Sequence, residues 1–373
     1  HRLSEAERET RATPYERGAR ISWSASLDGS PLACFTSHTL AALLGAASVI
    51  GSKLSLTLNE PVEWEAQCTV IFYQPSSGGW ALTVGMWTCP PATAAQVQNL
   101  TLLQDGGLQD DGVSTLDIRR SWNSTPYDRM RLAISCLANA DGAASGHILD
   151  VICGLATARP PGRLRLPADD DWSVPSLQTL NEAQVVAIRA ALQQPVTLLQ
   201  GPPGTGKTET VAAIVYHQVR QHKTSVLACA PANVTVDHIS AKLINCGLIV
   251  LRFEAASYVS PSGRAAEMSF AHHAVRVLPP REGAEFKALN AMRQATGELL
   301  LQDAARLDEL RGQAWPLVIR AVDVVCCTCS AAGDSKLVKH AFPFVIVDEA
   351  GRALEPDIVV PMTLGCQWLV LVG

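Results

Sequence analysis

The chain is 373 residues long, 47% hydrophobic and 17% charged, with a formal net charge of −5. This length and apolar content suffice for two or three packed domains and exclude a disordered polyelectrolyte. The mild acidity leaves no global basic footprint, so any nucleic acid must be held in a local groove.

Residues 1–17 are dense in Arg and Glu (Arg2, Glu5, Glu7, Arg8, Glu9, Arg11) and read as an exposed helix. From 18 to 120 the pattern has period two: Leu54, Leu56 and Leu58 alternate with polar residues, Trp64 to Tyr73 is β-rich, and Leu82, Val84 and Met86 alternate again. Asp28-Gly29 and Gly78-Gly79 sit where hairpin turns belong, so a small β-barrel or sandwich is expected. The region 121–165 then turns helical. Asn123-Ser124-Thr125-Pro126 supplies cap candidates ahead of Met130, Leu132, Ile134 and Leu137, and a linker runs from Arg159 to Asp171.

The last region, 166–373, alternates short apolar strands at 195–200, 225–230, 248–253, 322–329, 343–348 and 367–372 with helical segments. That rhythm specifies an α/β fold with a parallel sheet covered on both faces. Within it, 265–320 carries two helical stripes, Phe286, Leu289 and Met292, then Leu300, Ala304 and Leu307.

Between the first of these strands and the following helix lies Gln200-Gly201-Pro202-Pro203-Gly204-Thr205-Gly206-Lys207-Thr208. Strand, glycine-rich loop and helix in this order form a phosphate-binding loop. The glycines let backbone N–H groups approach phosphate oxygens, and the helix N-terminus adds a favourable dipole. Lys207 is expected to reach the β- and γ-phosphates of ATP and Thr208 to ligate Mg²⁺.

A second chemical signal is Phe344-Val345-Ile346-Val347-Asp348-Glu349-Ala350-Gly351, an apolar strand ending in two acids. On a parallel sheet its C-terminal end faces the same crevice as the phosphate loop. Asp348 is therefore assigned to Mg²⁺, and Glu349 to orienting and polarising the attacking water. The Gln184 amide, just upstream of the loop, can donate to and accept from an adenine edge.

Eleven cysteines, an odd number set mostly among apolar neighbours, suit buried free thiols in a reducing compartment, which points to the cytoplasm with the nucleus as the other option. Cys327-Thr328-Cys329 reads as part of a core strand rather than a metal site. The charge-free run from Ala33 to Gly51 is broken by Thr36, Ser37, His38, Thr39, Gly45 and Ser48, and reads as protein interior rather than a membrane span.

Taken together, Leu180-Asn181-x-x-Gln184, the Gly201–Thr208 loop continued by Thr210, Cys229-Ala230-Pro231-Ala232-Asn233-x-x-x-Asp237, Cys326-Cys327-Thr328-Cys329, Gly333-Asp334, Asp348-Glu349-Ala350, Glu355-Pro356 and Leu369–Gly373 resemble the superfamily-one helicases of the up-frameshift type, the RNA helicases of nonsense-mediated decay. Trp122-x-Ser124-Thr125-x-x-Asp128-Arg129-Met130 resembles the segment where those helicases leave their β-barrel. The resemblance implies a β-barrel on stalk helices, then a first RecA-like motor domain with a helical insertion at about 265–320. It implies ATP and Mg²⁺ as cofactors and single-stranded RNA, or DNA, as partner. It also implies that Gly201 to Thr208, Thr210 and Gln184 contact the nucleotide, while Pro231, Asn233, Asp237 and Thr328 line the single-strand path. Such a path of amides and hydroxyls needs little positive charge, which suits an acidic chain.

Three positions depart from the pattern. Ala232 stands where serine is usual and lacks a phosphate-bonding hydroxyl, Arg352 stands where glutamine is usual, and Glu209 places a carboxylate beside the loop, expected to face solvent. The start at His1 and the stop in an apolar run at Gly373 read as a fragment. On that reading a second motor domain supplies arginine fingers and half the groove, and this stretch alone hydrolyses ATP very slowly. The partner-docking cysteine- and histidine-rich domain of the family is not matched, so decay-factor partners are not carried over. A DNA helicase of the same superfamily, a non-motor P-loop enzyme and a catalytically silent nucleotide-binding module are the alternatives.

Overall fold

The computed structural model describes residues 16–19, 21–25, 31–37, 53–58, 64–76, 79–88, 116–120, 125–138, 146–155, 166–167, 171–222, 225–254, 265–296 and 299–373. The charged segment up to residue 15, the Asp28-Gly29 turn and most of the linker after Arg159 lie outside the described residues. The described chain divides into two compact units, one holding the residues up to 120 together with 292–305, the other built on 125–255, 259–291 and 306–373.

The first unit contains β1 (Glu16–Ala19), β2 (Ile21–Ala25), β3 (Pro31–Ser37), β4 (Lys53–Leu58), β5 (Trp64–Ser76), β6 (Gly79–Thr88) and β7 (Leu116–Arg120). They form one antiparallel sheet in the order β1-β7-β4-β5-β6-β3-β2. The period-two runs at Leu54 and Leu82 became β4 and β6, as alternation between two faces requires. Ser76 pairs with Gly79, so two residues connect β5 to β6 where a glycine-bearing hairpin turn was expected.

The second unit opens with α1 (Thr125–Ala138) and α2 (Gly146–Ile152), followed by α3 (Glu182–Gln193), β8 (Val196–Leu199), α4 (Lys207–His222), β9 (Val226–Ala230), α5 (Asn233–Asn245) and β10 (Val250–Arg252). Then come α6 (Ala265–Met268), α7 (Phe270–Val277), α8 (Pro280–Thr296) and α9 (Leu301–Ala321), of which the end of α8 from 292 and the start of α9 to 305 fall in the first unit, and β11 (Val324–Thr328), α10 (Cys329–Ala332), β12 (Phe344–Val347), α11 (Glu355–Met362) and β13 (Trp368–Val372). Each of the six apolar runs read from the sequence contains one of these strands. They form a parallel sheet in the order β10-β11-β9-β12-β13-β8. Every residue of β9 and β12 is buried, the mark of strands covered on both faces. Ile188, Leu192, Ile214, Phe344 and Val370 belong to the core on one side of that sheet.

The order matters for function. In a parallel sheet all C-terminal strand ends lie at one rim, so the residues after β8, β9, β11 and β12 share an edge.

Some local readings change. In α9 the buried stripe is Leu307, Leu310, Ala314 and Val318, whereas Leu300 is exposed, and Met292 is half exposed. The face is set by packing beneath the helix, which spacing alone cannot orient. Cys136 and Cys153 are exposed free thiols, unlike the buried Cys229, Cys326, Cys327 and Cys329. The strand β11 stops at Thr328, and Cys329 opens a helical turn while staying buried. Among the described residues, no helix is long and apolar enough to cross a membrane.

Candidate functional site

The phosphate loop begins where β8 ends and closes as α4 starts at Lys207. Gly204 and Gly206 take φ of +81° and +79°, a region that costs any other L-residue free energy. At Gly206 a Cβ would also stand 2.6 Å from Gln184 Nε2, so that amide would have to swing aside. Lys207 Nζ donates to the Gly201 carbonyl at 2.6 Å and the Pro202 carbonyl at 3.1 Å, and Thr205 Oγ1 donates to Pro202 O at 2.8 Å. The loop thus curls around its own lysine.

Two strands away, β12 delivers the acids. The Asp348 N–H donates to Cys229 O at 2.9 Å, which fastens the acidic pair to β9. Asp348 is 3% exposed, and its Oδ1 accepts from the Glu349 N–H at 2.9 Å. Burial pushes its carboxyl above the ordinary carboxylate range; the Glu349 N–H and the Lys207 charge oppose that push. Glu349 has φ of 55° and ψ of 34°, a left-handed backbone that aims its side chain back across the rim. Such a residue costs roughly 1–3 kcal/mol and concentrates where function fixes direction. Its Oε2 accepts from Thr235 Oγ1 at 2.9 Å, and Arg352 Nη1 lies 3.3 Å from both of its carboxylate oxygens.

Lys207, Thr208, Asp348 and Glu349 line one cleft of about 490 Å³, together with Thr235, His238, Lys242 and Arg352. The spatial convergence that the sequence could only suggest is present. The donor set also fits a hard divalent cation, since a buried carboxylate and a hydroxyl supply the oxygen atoms such an ion prefers.

Other expected residues sit differently. Gln184 completes a capping box at the start of α3: its Oε1 accepts from the Asn181 N–H at 2.9 Å, and its Nε2 points at Thr205 O at 3.5 Å. The amide therefore braces helix and loop together. Thr210 is 3% exposed and its Oγ1 donates to Gly206 O at 3.1 Å, so it shapes the loop from below rather than facing the cleft. Glu209 keeps 33% of its side chain exposed while Lys242 Nζ holds its carboxylate at 3.2 Å, and both line the cleft.

On the strand side, Asp237 is 5% exposed and bonded to Arg252 Nε at 2.8 Å. Arg252 Nη2 also donates to Asn233 Oδ1 at 3.0 Å, and its Nη1 to Phe253 O at 2.8 Å. Asp237 is thus turned inward, because a carboxylate at this buried turn of α5 meets a buried guanidinium. Pro231 and Thr328 are half-buried at the ends of the adjacent strands β9 and β11, with Thr328 Oγ1 accepting from the Ala331 N–H at 3.2 Å. Asp334, beyond α10, pairs with Arg129 of α1 at 2.8 Å.

Sequence reading missed Thr235, Arg252, Lys242 and His238. The first sits at an unspecified position inside a recognised segment, and the others lie outside the motifs, so no local pattern marks them.

The AAA domain family matches residues 179–273 and 281–373, which hold the loop, the acids and the whole parallel sheet. The chain belongs to that family. Within the AAA domain family its relatives include the "Regulator of nonsense transcripts 1 homolog" of Neurospora crassa, 38% identical over 252 residues, 68% of this chain and 23% of the relative. The protein of the same name in Arabidopsis thaliana is 36% identical over 281 residues, 75% of this chain and 22% of the relative. The "ATP-dependent helicase upf1" of Schizosaccharomyces pombe is 38% identical over 258 residues, 68% of this chain and 27% of the relative. The chain spans about a quarter of the length of these curated relatives.

Proposed function

We propose that the chain is the ATP-hydrolysing part of a helicase that moves on single-stranded RNA in mRNA surveillance and decay in the cytoplasm. One observation carries this reading: the Lys207 ammonium and the Asp348 and Glu349 carboxyls open into a single cleft at one rim of one sheet. The names of the relatives and the AAA domain match support it.

In this reading Lys207 exchanges the Gly201 and Pro202 carbonyls for the β- and γ-phosphates of ATP, while the N–H groups of the loop and the α4 N-terminus cradle them. Thr208 and Asp348 hold Mg²⁺, which neutralises charge developing on the phosphates. Glu349 orients the attacking water and accepts its proton. Pro231, Asn233 and Thr328 offer the strand path at the ends of β9 and β11, with Asp237 setting the α5 backbone from beneath. Gln184 reaches adenine only if its amide leaves the cap.

We further propose the domain plan of a stalk helix ahead of residue 16, a β-barrel from β1 (Glu16–Ala19) to 120 rather than from 18, a second stalk helix within 121–165, and a motor domain at 166–373 with its helical insertion at about 265–320. In support of the barrel, β1 and β2 are one residue apart in sequence yet end the seven-strand order on opposite sides, which a closed sheet would explain.

The test is steady-state ATP hydrolysis by the full-length protein with poly-ribo and poly-deoxyribo strands. Glu349→Gln is expected to lower kcat by about 10²–10⁴-fold while nucleotide binding persists. Undiminished hydrolysis by this variant would exclude the assigned mechanism. Stronger stimulation by the deoxyribo strand would reassign the motor to DNA.

A further inference from the structure

Along the rim, in the strand order β9-β11-β10, Pro231 and Asn233 follow β9, Thr328 ends β11 and Phe253 follows β10. Arg252 ties the outer positions together: its Nη2 donates to Asn233 Oδ1 at 3.0 Å and its Nη1 to Phe253 O at 2.8 Å. Phe253 in turn meets Trp315 of α9 edge to face, with ring centroids 5.7 Å apart. A line of direct contacts thus leads from the residues assigned to the single-strand path to one half-buried indole that belongs to no motif.

That indole is firmly mounted. Phe270 of α7 stacks on it, with centroids 4.1 Å apart and planes at 22°, and the buried Phe286 backs Phe270 at 6.3 Å. His273 Nε2 reaches Val250 O at 2.9 Å and fastens α7 to β10. With Phe270 on one face, the other is left to the exposed Lys336, whose ammonium stands 5.6 Å from the ring centroid. Packing explains the rings, but it leaves the front of the indole to a solvated side chain that a flat ligand can displace. Stacking on a nucleobase outweighs an exposed cation–π contact, and a lysine beside a stacked base has a phosphate within reach.

We propose that Trp315 is a stacking platform for one base of the bound single strand, beyond the nucleotides held at Asn233 and Thr328, and that Lys336 turns from the indole to the strand's phosphate backbone. The site takes single-stranded nucleic acid with little regard to sequence, because every base has a π-face. This inference rests on the single-strand reading above and adds the edge of the sheet at β10 to it.

The experiment is binding of a labelled ribo strand to the full-length protein, read by fluorescence anisotropy, for the unsubstituted chain, Trp315→Leu, Trp315→Phe and Lys336→Gln. A second series of strands carries an abasic nucleotide at successive positions. Trp315→Leu is expected to bind the intact strand about tenfold more weakly, and Trp315→Phe to recover most of that loss. In the unsubstituted protein one abasic position should cost about the same tenfold, and in Trp315→Leu that position should cost nothing further, as for two groups that act only on each other. Lys336→Gln should reduce the slope of log affinity against log salt by about 0.7, the single-strand value for one phosphate. Full affinity in Trp315→Leu, or the same abasic penalty in both proteins, would overturn the platform. Should Trp315→Leu fail to fold, an unchanged salt slope in Lys336→Gln would overturn it instead. Failure of the unsubstituted protein to bind any single strand would remove the nucleic-acid reading together with it.

Discussion

Along the C-terminal rim of the parallel sheet, the strands β8, β13 and β12 and the strands β9, β11 and β10 carry similar polar side chains but hold them differently. On the first side Lys207 donates to carbonyls of its own loop, and Asp348 and Glu349 open into a cleft of about 490 Å³. On the second, Asn233 and Asp237 are locked to a buried guanidinium. The contrast separates groups kept available for a ligand from groups used to fix the backbone that a ligand would touch. It also explains why one residue type has two fates: Asp348 lies where the cleft floor can accept a cation, Asp237 where Arg252 already supplies one.

The sharpest way to break this comparison is Arg252→Leu. If the strand side is a buried scaffold, leaving Asp237 uncompensated should cost about 3–5 kcal/mol of stability, read as a drop in the unfolding midpoint in urea. A loss under about 1 kcal/mol would mean that water already solvates the pair and the scaffold reading is wrong.

Gly206→Ala probes the other side. With φ of +79° and Gln184 Nε2 standing 2.6 Å from the added Cβ, the substitution should cost about 1–3 kcal/mol and weaken nucleotide binding far more than it weakens the fold. Titration with ATP alongside thermal unfolding separates the two effects. Equal nucleotide affinity in the variant would show that the loop tolerates a different path.

The smallest effect sharpens the comparison from α11, which contributes no residue to the lining of the cleft. Asp357, in the first turn of α11, has an Oδ1 buried without a hydrogen-bond partner, and burial pushes its carboxyl from 3.8 up to about 6. The folded state therefore holds this proton more tightly than the unfolded chain. The resulting stability is complete below the unfolded value of 3.8 and is lost as pH rises through about 6. Asp357→Asn should flatten that slope and raise stability at neutral pH by about 1 kcal/mol, allowing for partial exposure and the helix N-terminus. Unfolding midpoints at pH 4.5 and 7.5, chosen on either side of a value of about 6, check the sign.

Much of the architecture was legible because it depends on local period and on glycine chemistry. Apolar runs bounded by turn residues became strands within a residue or two of their expected limits, and the loop and acids stood next to strands, where only one direction of travel is open. Reading the helical insertion was less successful at its faces. Stripes at Leu300 and Met292 have the right spacing, but which arc of a helix is covered depends on what lies against it.

The amino-acid order by itself determined that a glycine loop follows one strand, that two carboxylates follow another, and that the strands between are apolar enough to be buried on both faces. Strand order was decided only in three dimensions. It put those two strands at one rim, turned Asp237 and Thr210 inward and brought Thr235 against Glu349, across 114 residues of chain. The physical reason is that backbone preference and hydrophobic period act over a few residues, whereas the partner of a buried charge or hydroxyl is whichever group the packed sheet delivers to it.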